Sequence, residues 1–261
     1  MANPPVPFSD GAAYDRVMGG WSRSVGGVVL DWIRSAQGLA WIDVGCGSGV
    51  FTELVADRCA PGAILGIDPS EAQLAFARSR SIGGNVRFEV GDAMALSLPD
   101  ASVDVAAAAL VVHFMPDPVR GVAEMARVVR SGGIVVAYVW DRGGGGHPYD
   151  AIHKELSAAG SPPPDPPSPE ATNADVLHGL FTSAGLKSIE IRAITVTRAF
   201  ESFDDYWQVA TTSPRMTIVL SKIPAASLAD VKARVRTLMK IEPDGSLIPT
   251  ARVNAIVGRV P

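Results

Sequence analysis

The sequence predicts an α/β fold: a doubly wound, mostly parallel sheet with helices on both faces. Three observations carry that expectation. Short apolar runs alternate with helical stretches from Trp41 to Trp140. A glycine-rich turn, Gly45, Gly47 and Gly49, joins the first run to the first of these helices. Finally, Asp43, Asp68 and Asp92 stand at or just beyond the ends of successive runs, as expected of repeated βα units.

The first unit is Trp41-Ile-Asp-Val-Gly-Cys-Gly-Ser-Gly-Val50. An apolar run ending at Asp43 reads as a buried strand, and residues 51–58 read as the helix after it. The glycines then lie at a strand-to-helix turn. There the missing Cβ lets a ligand press on the main chain, and amide groups point at its polar atoms. A dinucleotide fingerprint, G-x-G-x-x-G, would require glycine at position 50, and Val50 stands there. The Asp43 carboxylate would repel a pyrophosphate and suits a ligand carrying an ammonium group.

Residues 63–68 form the second strand. It ends in an acid about 25 residues after the first, near where a βαβ unit puts the carboxylate that receives a pair of ribose hydroxyls. Residues 86–90 are the third strand. Gly91-Asp92-Ala93 follows, offering a carboxylate and a backbone N–H to an adenine edge. A fourth strand includes residues 106–110. Pro116-Asp-Pro118 opens a helix with Val119, Val122, Ala126 and Val129 near helical spacing, and Ser131-Gly-Gly133 turns into a fifth strand over 134–140.

In that order, Asp-Val-Gly-Cys-Gly-Ser-Gly, Gly-Ile-Asp-Pro-Ser and Gly-Asp-Ala resemble the class I S-adenosylmethionine-dependent methyltransferases. His113-Phe-Met-Pro-Asp-Pro118 and the stretch from Glu124 to Gly133 are similar to the small-molecule branch called methyltransferase type 11, and the likeness runs over about residues 8–140. It implies a Rossmann-like sheet of seven strands with an antiparallel last strand, and S-adenosylmethionine as cofactor with S-adenosylhomocysteine as product. Asp43 would help hold the methionine ammonium, and the backbone of Gly45, Cys46 and Gly47 would line the methionine portion. Asp68, followed by Pro69, would take the ribose hydroxyls. Asp92 and the Ala93 amide would take the adenine, and Ala109 would lie near the transferable methyl. The leading helix, with Tyr14, Trp21 and Arg23, would fold over the cofactor. Tyr14 would cover it, whereas Arg23 has two readings, a partner for the methionine carboxylate or a surface arginine. Two departures stand out: residues 106–110 carry no polar side chain, and Arg130-Ser-Gly-Gly133 replaces the usual Lys-Pro-Gly-Gly.

Beyond Trp140, the glycine run 141–146 reads as flexible and the proline run 161–169 as stiff and extended. Between them a short helix is expected over 149–159. A helix over 174–184 and a strand over 187–199 follow. Residues 203–241 read as helical and 248–260 as the last strand. This predicts a methyltransferase domain over residues 1–200 and 243–261, with residues 201–242 as a helical insertion capping the substrate site.

Methyl transfer from a sulfonium is an in-line displacement that depends mainly on alignment, so a dedicated base is optional. If the acceptor is a hydroxyl or an acidic carbon, His113 is the leading general base, since it follows the fourth strand at the carboxyl edge of the sheet. The alternative for His113 is a purely structural hydrogen bond. Trp21, His147, Phe203, Tyr206 and Trp207 are placed in the acceptor pocket, with packing of the cap as the competing role for the three cap aromatics. His153 is a weaker candidate, and His178 reads as structural. Lys232, Arg236 and Lys240 make a basic helix stripe of the kind usually solvated.

Composition narrows the partners. The 261 residues are 47% hydrophobic and 19% charged, enough for a sizeable core. A net charge of −4 argues against nucleic acid and for a small-molecule acceptor. Cys46 and Cys59 are the only cysteines, so no disulfide framework is expected and a reducing cytoplasm fits. The first residues show no secretory leader, and the longest apolar stretch, 105–112, is shorter than the roughly 20 residues of a membrane span. No metal-ligand spacing is present. Pairing of two copies through an apolar cap is left open. Two functional alternatives also stay open: a nicotinamide-dependent oxidoreductase, disfavoured by Val50 and Asp92, and a catalytically idle S-adenosylmethionine-binding regulatory protein.

Overall fold

Alternation with a period of two sorts the sheet's side chains between two cores. In β1 (Ala40–Val44), Trp41 joins one core while Ile42 and Val44 join the other. In β4 (Val103–Ala109), Val105 and Ala107 go one way and Ala106 and Ala108 the other. Such strands, apolar on both faces, need helices on both sides. The computed structural model describes residues 10–261, and the expectation about a leader falls on residues 1–9, outside those described.

The remaining strands are β2 (Ala63–Asp68), β3 (Val86–Val90), β5 (Val129–Trp140), β6 (Lys187–Thr197) and β7 (Thr250–Arg259). They form one seven-stranded sheet in the order β3-β2-β1-β4-β5-β7-β6. The first five are parallel to their neighbours, and β7 lies antiparallel between β5 and β6. From β1 the chain winds outward through β2 and β3, then returns to start β4 on the other side of β1. The switch point, and with it the ligand crevice of such a sheet, therefore lies at the carboxyl ends of β1 and β4.

One core packs α2 (Gly20–Ile33), α3 (Val50–Cys59) and α6 (Asp150–Ala158) on the sheet. The opposite core receives α5 (Pro118–Val128) and α7 (Ala174–Ser183). Ahead of α2 stand α1 (Gly11–Tyr14) and a turn of π-helix, Asp15–Gly19, and α4 (Glu71–Ser79) joins β2 to β3. The stretch 203–241 is divided into α8 (Phe203–Thr211), α9 (Pro214–Leu220) and α10 (Ala225–Leu238). Two breaks interrupt it: Ser213 caps α9 by accepting from Met216 N at 3.2 Å, and Pro224, which lacks an N–H, stands at the N-cap of α10. Phe203, Tyr206, Val231 and Val235 share one core with Trp21, Ile152 and Leu156, so α8 and α10 are continuous with the body of the protein.

The sharp turn expected at Ser131-Gly-Gly133 is absorbed into β5. Val129 already pairs with Val103, the register then slips, and pairing resumes at Ile134 with Val105. Gly132, with φ 77°, donates to Val260 O at 2.8 Å across this irregular edge. Among the described residues no helix is long and apolar enough to cross a membrane.

A guanidinium clamp secures the loop after β3. Arg127 donates to Leu96 O at 3.0 Å, Leu98 O at 2.9 Å and Glu124 at 2.7 Å, while Glu124 accepts from Leu96 N at 2.8 Å. The loop that bears Asp92 is thereby fixed to α5. Truncation in Arg127→Ala should cost about 2 kcal/mol, the worth of hydrogen bonds to a charged group. Equilibrium unfolding in urea would measure it, and an unchanged midpoint would remove the clamp from the account.

Candidate active site

The site begins with the glycine turn. Gly45 has φ 71°, and a Cβ there would come within 2.6 Å of the Val111 side chain. Gly49, φ 80°, is the N-cap of α3, where a Cβ would meet Ala77 at 3.0 Å. The turn is fixed to β2 by two bonds: Cys46 N donates to Ile67 O at 2.8 Å and Gly47 N to Asp68 Oδ2 at 3.0 Å. The Cys46 side chain is buried towards Gly66, and burial pushes its thiol up, so only its backbone is available to a ligand.

Asp68 is held on both oxygens, since Oδ1 accepts from Ser70 N at 2.8 Å. Burial raises its pKa, and the two amide donors pull the other way. A carboxylate oxygen carries more than one lone pair, so the oriented group can still accept two hydroxyls. Pro69 is exposed beside it. Asp92 is exposed after β3, with Oδ1 accepting from Met94 N at 2.9 Å, and the half-buried Ala93 is next to it.

Asp43 is buried. Its Oδ2 accepts from Thr52 Oγ1 at 2.6 Å, and its Oδ1 has no hydrogen-bond partner among the described residues. Burial pushes its pKa up to about 7, against the Thr52 hydrogen bond, and Asp68 adds to the rise. The buried hydroxyl of Tyr138 is also without a partner. Tyr14 comes close enough to Asp68 to feel its charge; burial, Asp68 and Asp15 push its phenol up to about 12, so it stays protonated. An unpaired buried carboxylate oxygen is costly unless a donor meets it.

Beyond Ala109 at the end of β4, Leu110 takes a left-handed conformation, φ 64°, and donates to Tyr138 O at 2.8 Å. The kink leads into a 3-10 turn, Val112–Phe114, that carries His113. His113 is 3% exposed with Nδ1 unpartnered, and burial, then Arg142 and Arg215, push its pKa down to about 3. Its imidazole is neutral and weakly basic.

A cavity of about 140 Å³ opens beside this turn. Tyr14, His113 and His147 line it, together with Phe114, Trp140 and His153. His147 Nδ1 accepts from Tyr149 N at 3.2 Å, and its ring lies 4.6 Å from that of His153. Among the described residues no three His, Cys, Asp or Glu converge in a way that could hold a metal ion.

Several expected residues stand elsewhere. Trp21 is fully buried behind the cavity, where Nε1 donates to Tyr149 Oη at 3.2 Å, and Tyr149 in turn donates to Val17 O at 2.7 Å. Phe203 and Tyr206 are buried, and Tyr206 donates to Pro148 O at 3.2 Å; Trp207 lies 6.3 Å from the Phe203 ring. None of these four lines the cavity. Large aromatic surfaces are costly to leave against water, and here they join the cap to the body. Arg23 pairs with Glu53 at 2.5 Å, its side chain 47% exposed. The guanidinium at the glycine turn belongs to Arg80, which donates to Ser48 O at 2.5 Å and Glu53 at 3.0 Å and pairs with Asp15, tying the turn to the segment bearing Tyr14.

Arg142, Arg215 and the prolines Pro163, Pro164 and Pro166 also line the cavity and were not foreseen. Arg142 follows β5 at the carboxyl edge, where the rule that singled out His113 would have found it. For Arg215 the sequence holds no signal, because its position depends on how α9 packs.

Residues 42–137 match a family described as a methyltransferase domain. Over those residues the chain is similar to the type 11 branch of the class I methyltransferases. Over 130 residues it is 36% identical to a phosphatidylethanolamine N-methyltransferase of Cereibacter sphaeroides, covering 47% of this chain and 61% of that one. Over 168 residues it is 32% identical to an O-methyltransferase of Penicillium expansum, covering 62% and 57%. Among solved structures, the [4+2]-cyclase SpnF superposes with a TM-score of 0.58 at 21% identity, covering 98% of this chain and 97% of that one, which is likeness of fold. The chain spans between 32% and 61% of the length of curated relatives it matches.

The raised pKa of Asp43 gives the chain a stability signature. The folded state holds the proton longer than the unfolded chain, so the contribution is complete below the ordinary value of 3.8 and is lost as pH rises through about 7. Denaturant unfolding across that window should show a steeper loss of stability in the native chain than in Asp43→Asn. Equal slopes would mean that Asp43 titrates normally.

Proposed function

We propose that the chain binds S-adenosylmethionine at the glycine turn and transfers its methyl group in line to a small-molecule acceptor in the adjoining cavity. The observation that carries this reading is Asp43, whose buried Oδ1 has no partner at the switch point of the sheet. An ammonium is the group such an oxygen needs, and a pyrophosphate is the one it would repel. The Asp68 carboxylate, already oriented by Gly47 N and Ser70 N, supplies acceptors for a ribose diol. Asp92 and the Ala93 amide stand one strand further for an adenine edge.

The bound sulfonium supplies an electrophilic methyl group. The protein's part is alignment: Tyr14 would cover the cofactor, Leu110 just beyond β4 lines the cavity, and the cavity walls would hold the acceptor. His113 faces that cavity as a neutral imidazole able to accept a proton where the acceptor releases one. A cavity of about 140 Å³ suits a small acceptor, and a net charge of −4 suits nucleic acid poorly. The free, buried thiols of Cys46 and Cys59 accord with a cytoplasmic setting.

Calorimetric titration tests the reading. S-adenosylmethionine and S-adenosylhomocysteine should each bind at one site, NADH should not, and Asp68→Ala should weaken binding about tenfold to a hundredfold, as loss of hydrogen bonds to a charged group implies. Preference for the nicotinamide, or binding indifferent to the substitution, would overturn it.

A further inference from the structure

The cavity has a charge pattern that the methyl-transfer reading does not use. Arg142 comes from the end of β5 and Arg215 from α9 of the cap, and both reach the same wall. Arg142 pairs with Asp165 at 3.2 Å, but the Asp165 side chain is 75% exposed and that of Arg142 only 29%. Arg215 Nη2 donates to Pro164 O at 2.5 Å, and among the described residues no carboxylate pairs with it directly. The other acid on the rim, Asp10, is exposed and turned to α1, where it accepts from Ala13 N at 2.9 Å.

Water therefore screens the acids, while the guanidiniums sit against apolar walls. Burial, then Arg142, lowers the pKa of Arg215, and the charge of Asp165 offsets part of that fall. The imidazoles of His113, His147 and His153 add no charge, because burial holds all three below the ordinary value. Two like charges at one small cavity are unfavourable unless an anion joins them. A planar guanidinium fork matches a carboxylate, and two can grip one from both sides. Phe114 and Trp140 add an aromatic part to the same lining.

We propose that the cavity recognises its occupant by a carboxylate held between Arg142 and Arg215, with a flat apolar body against Phe114 and Trp140. That the occupant is the methyl acceptor rests on the function proposed above; that it is a carboxylate rests on the arginines alone. The acceptor class is then an aromatic or similarly compact carboxylic acid. The cap sets specificity by delivering Arg215.

The test uses the full chain saturated with S-adenosylhomocysteine and titrated calorimetrically with benzoate and with benzamide, which match in size and differ in charge. Benzoate should bind at least tenfold more tightly. Arg142→Gln and Arg215→Gln should each weaken benzoate at least tenfold and leave benzamide and S-adenosylhomocysteine unchanged. Lys240→Gln, at a side chain 86% exposed on the cap, should change nothing. Equal binding of the two probes, no benzoate binding by a chain that still takes S-adenosylhomocysteine, or benzoate binding indifferent to both arginines would each overturn the proposal. Phosphate binding that needs both arginines while benzoate fails would overturn the choice of carboxylate. Benzoate binding that needs the arginines in a chain that does not bind S-adenosylhomocysteine would uphold the anion site and bring down the methyltransferase reading instead.

Discussion

The bond from Gly47 N to Asp68 Oδ2, with its neighbour from Cys46 N to Ile67 O, is the constraint on which the rest of the site depends. Glycines at left-handed φ would give a turn of many conformations if left alone. Anchored to β2, the turn has one. It aims the start of α3, brings Thr52 to Asp43 and leaves one face of the backbone open above the sheet. The carboxylate that fixes the turn is also the one proposed for the ribose, so on that proposal organisation of the loop and recognition of the ligand are a single arrangement.

Much of this was legible in the sequence because it rests on local chemistry. Glycine spacing, acids at strand ends and period-two alternation are short-range signals, and they located β1 to β4, the turn and the three acids. The antiparallel last strand came from family resemblance rather than from pattern. Residues 130–133 read as a tight turn because a slip in strand register leaves no mark in the order of residues. The cap was harder still. The aromatic side chains of Phe203, Tyr206 and Trp207 are equally suited to a pocket wall and to a core, and only the packed structure shows that burial won. Arg23 and Arg80 raise the same difficulty: both are polar residues near the turn in sequence or space, and only tertiary contacts tell them apart.

The site divides electrically. Around the glycine turn the field is negative, from Asp43 and Asp68, and a cation is welcome there. Around the cavity it is positive, from Arg142 and Arg215, and it adds to the burial that keeps the histidines neutral. Tyr14 stands between the two, touching the cavity on one side and feeling Asp68 on the other. Such a division would draw a cationic donor and an anionic acceptor to adjacent places, with His113 at the boundary. An anion beside the arginines would offset their share of the depression of His113 and leave the share due to burial.

The most direct test of the central claim is a crystal structure of the chain with S-adenosylhomocysteine. The ligand's ammonium should lie on Asp43 Oδ1, its ribose on Asp68, its adenine edge at Asp92 and the Ala93 amide, and its sulfur should turn towards the cavity of His113. A ligand bound elsewhere, or one in this crevice that leaves Asp43 Oδ1 unpaired, would contradict it.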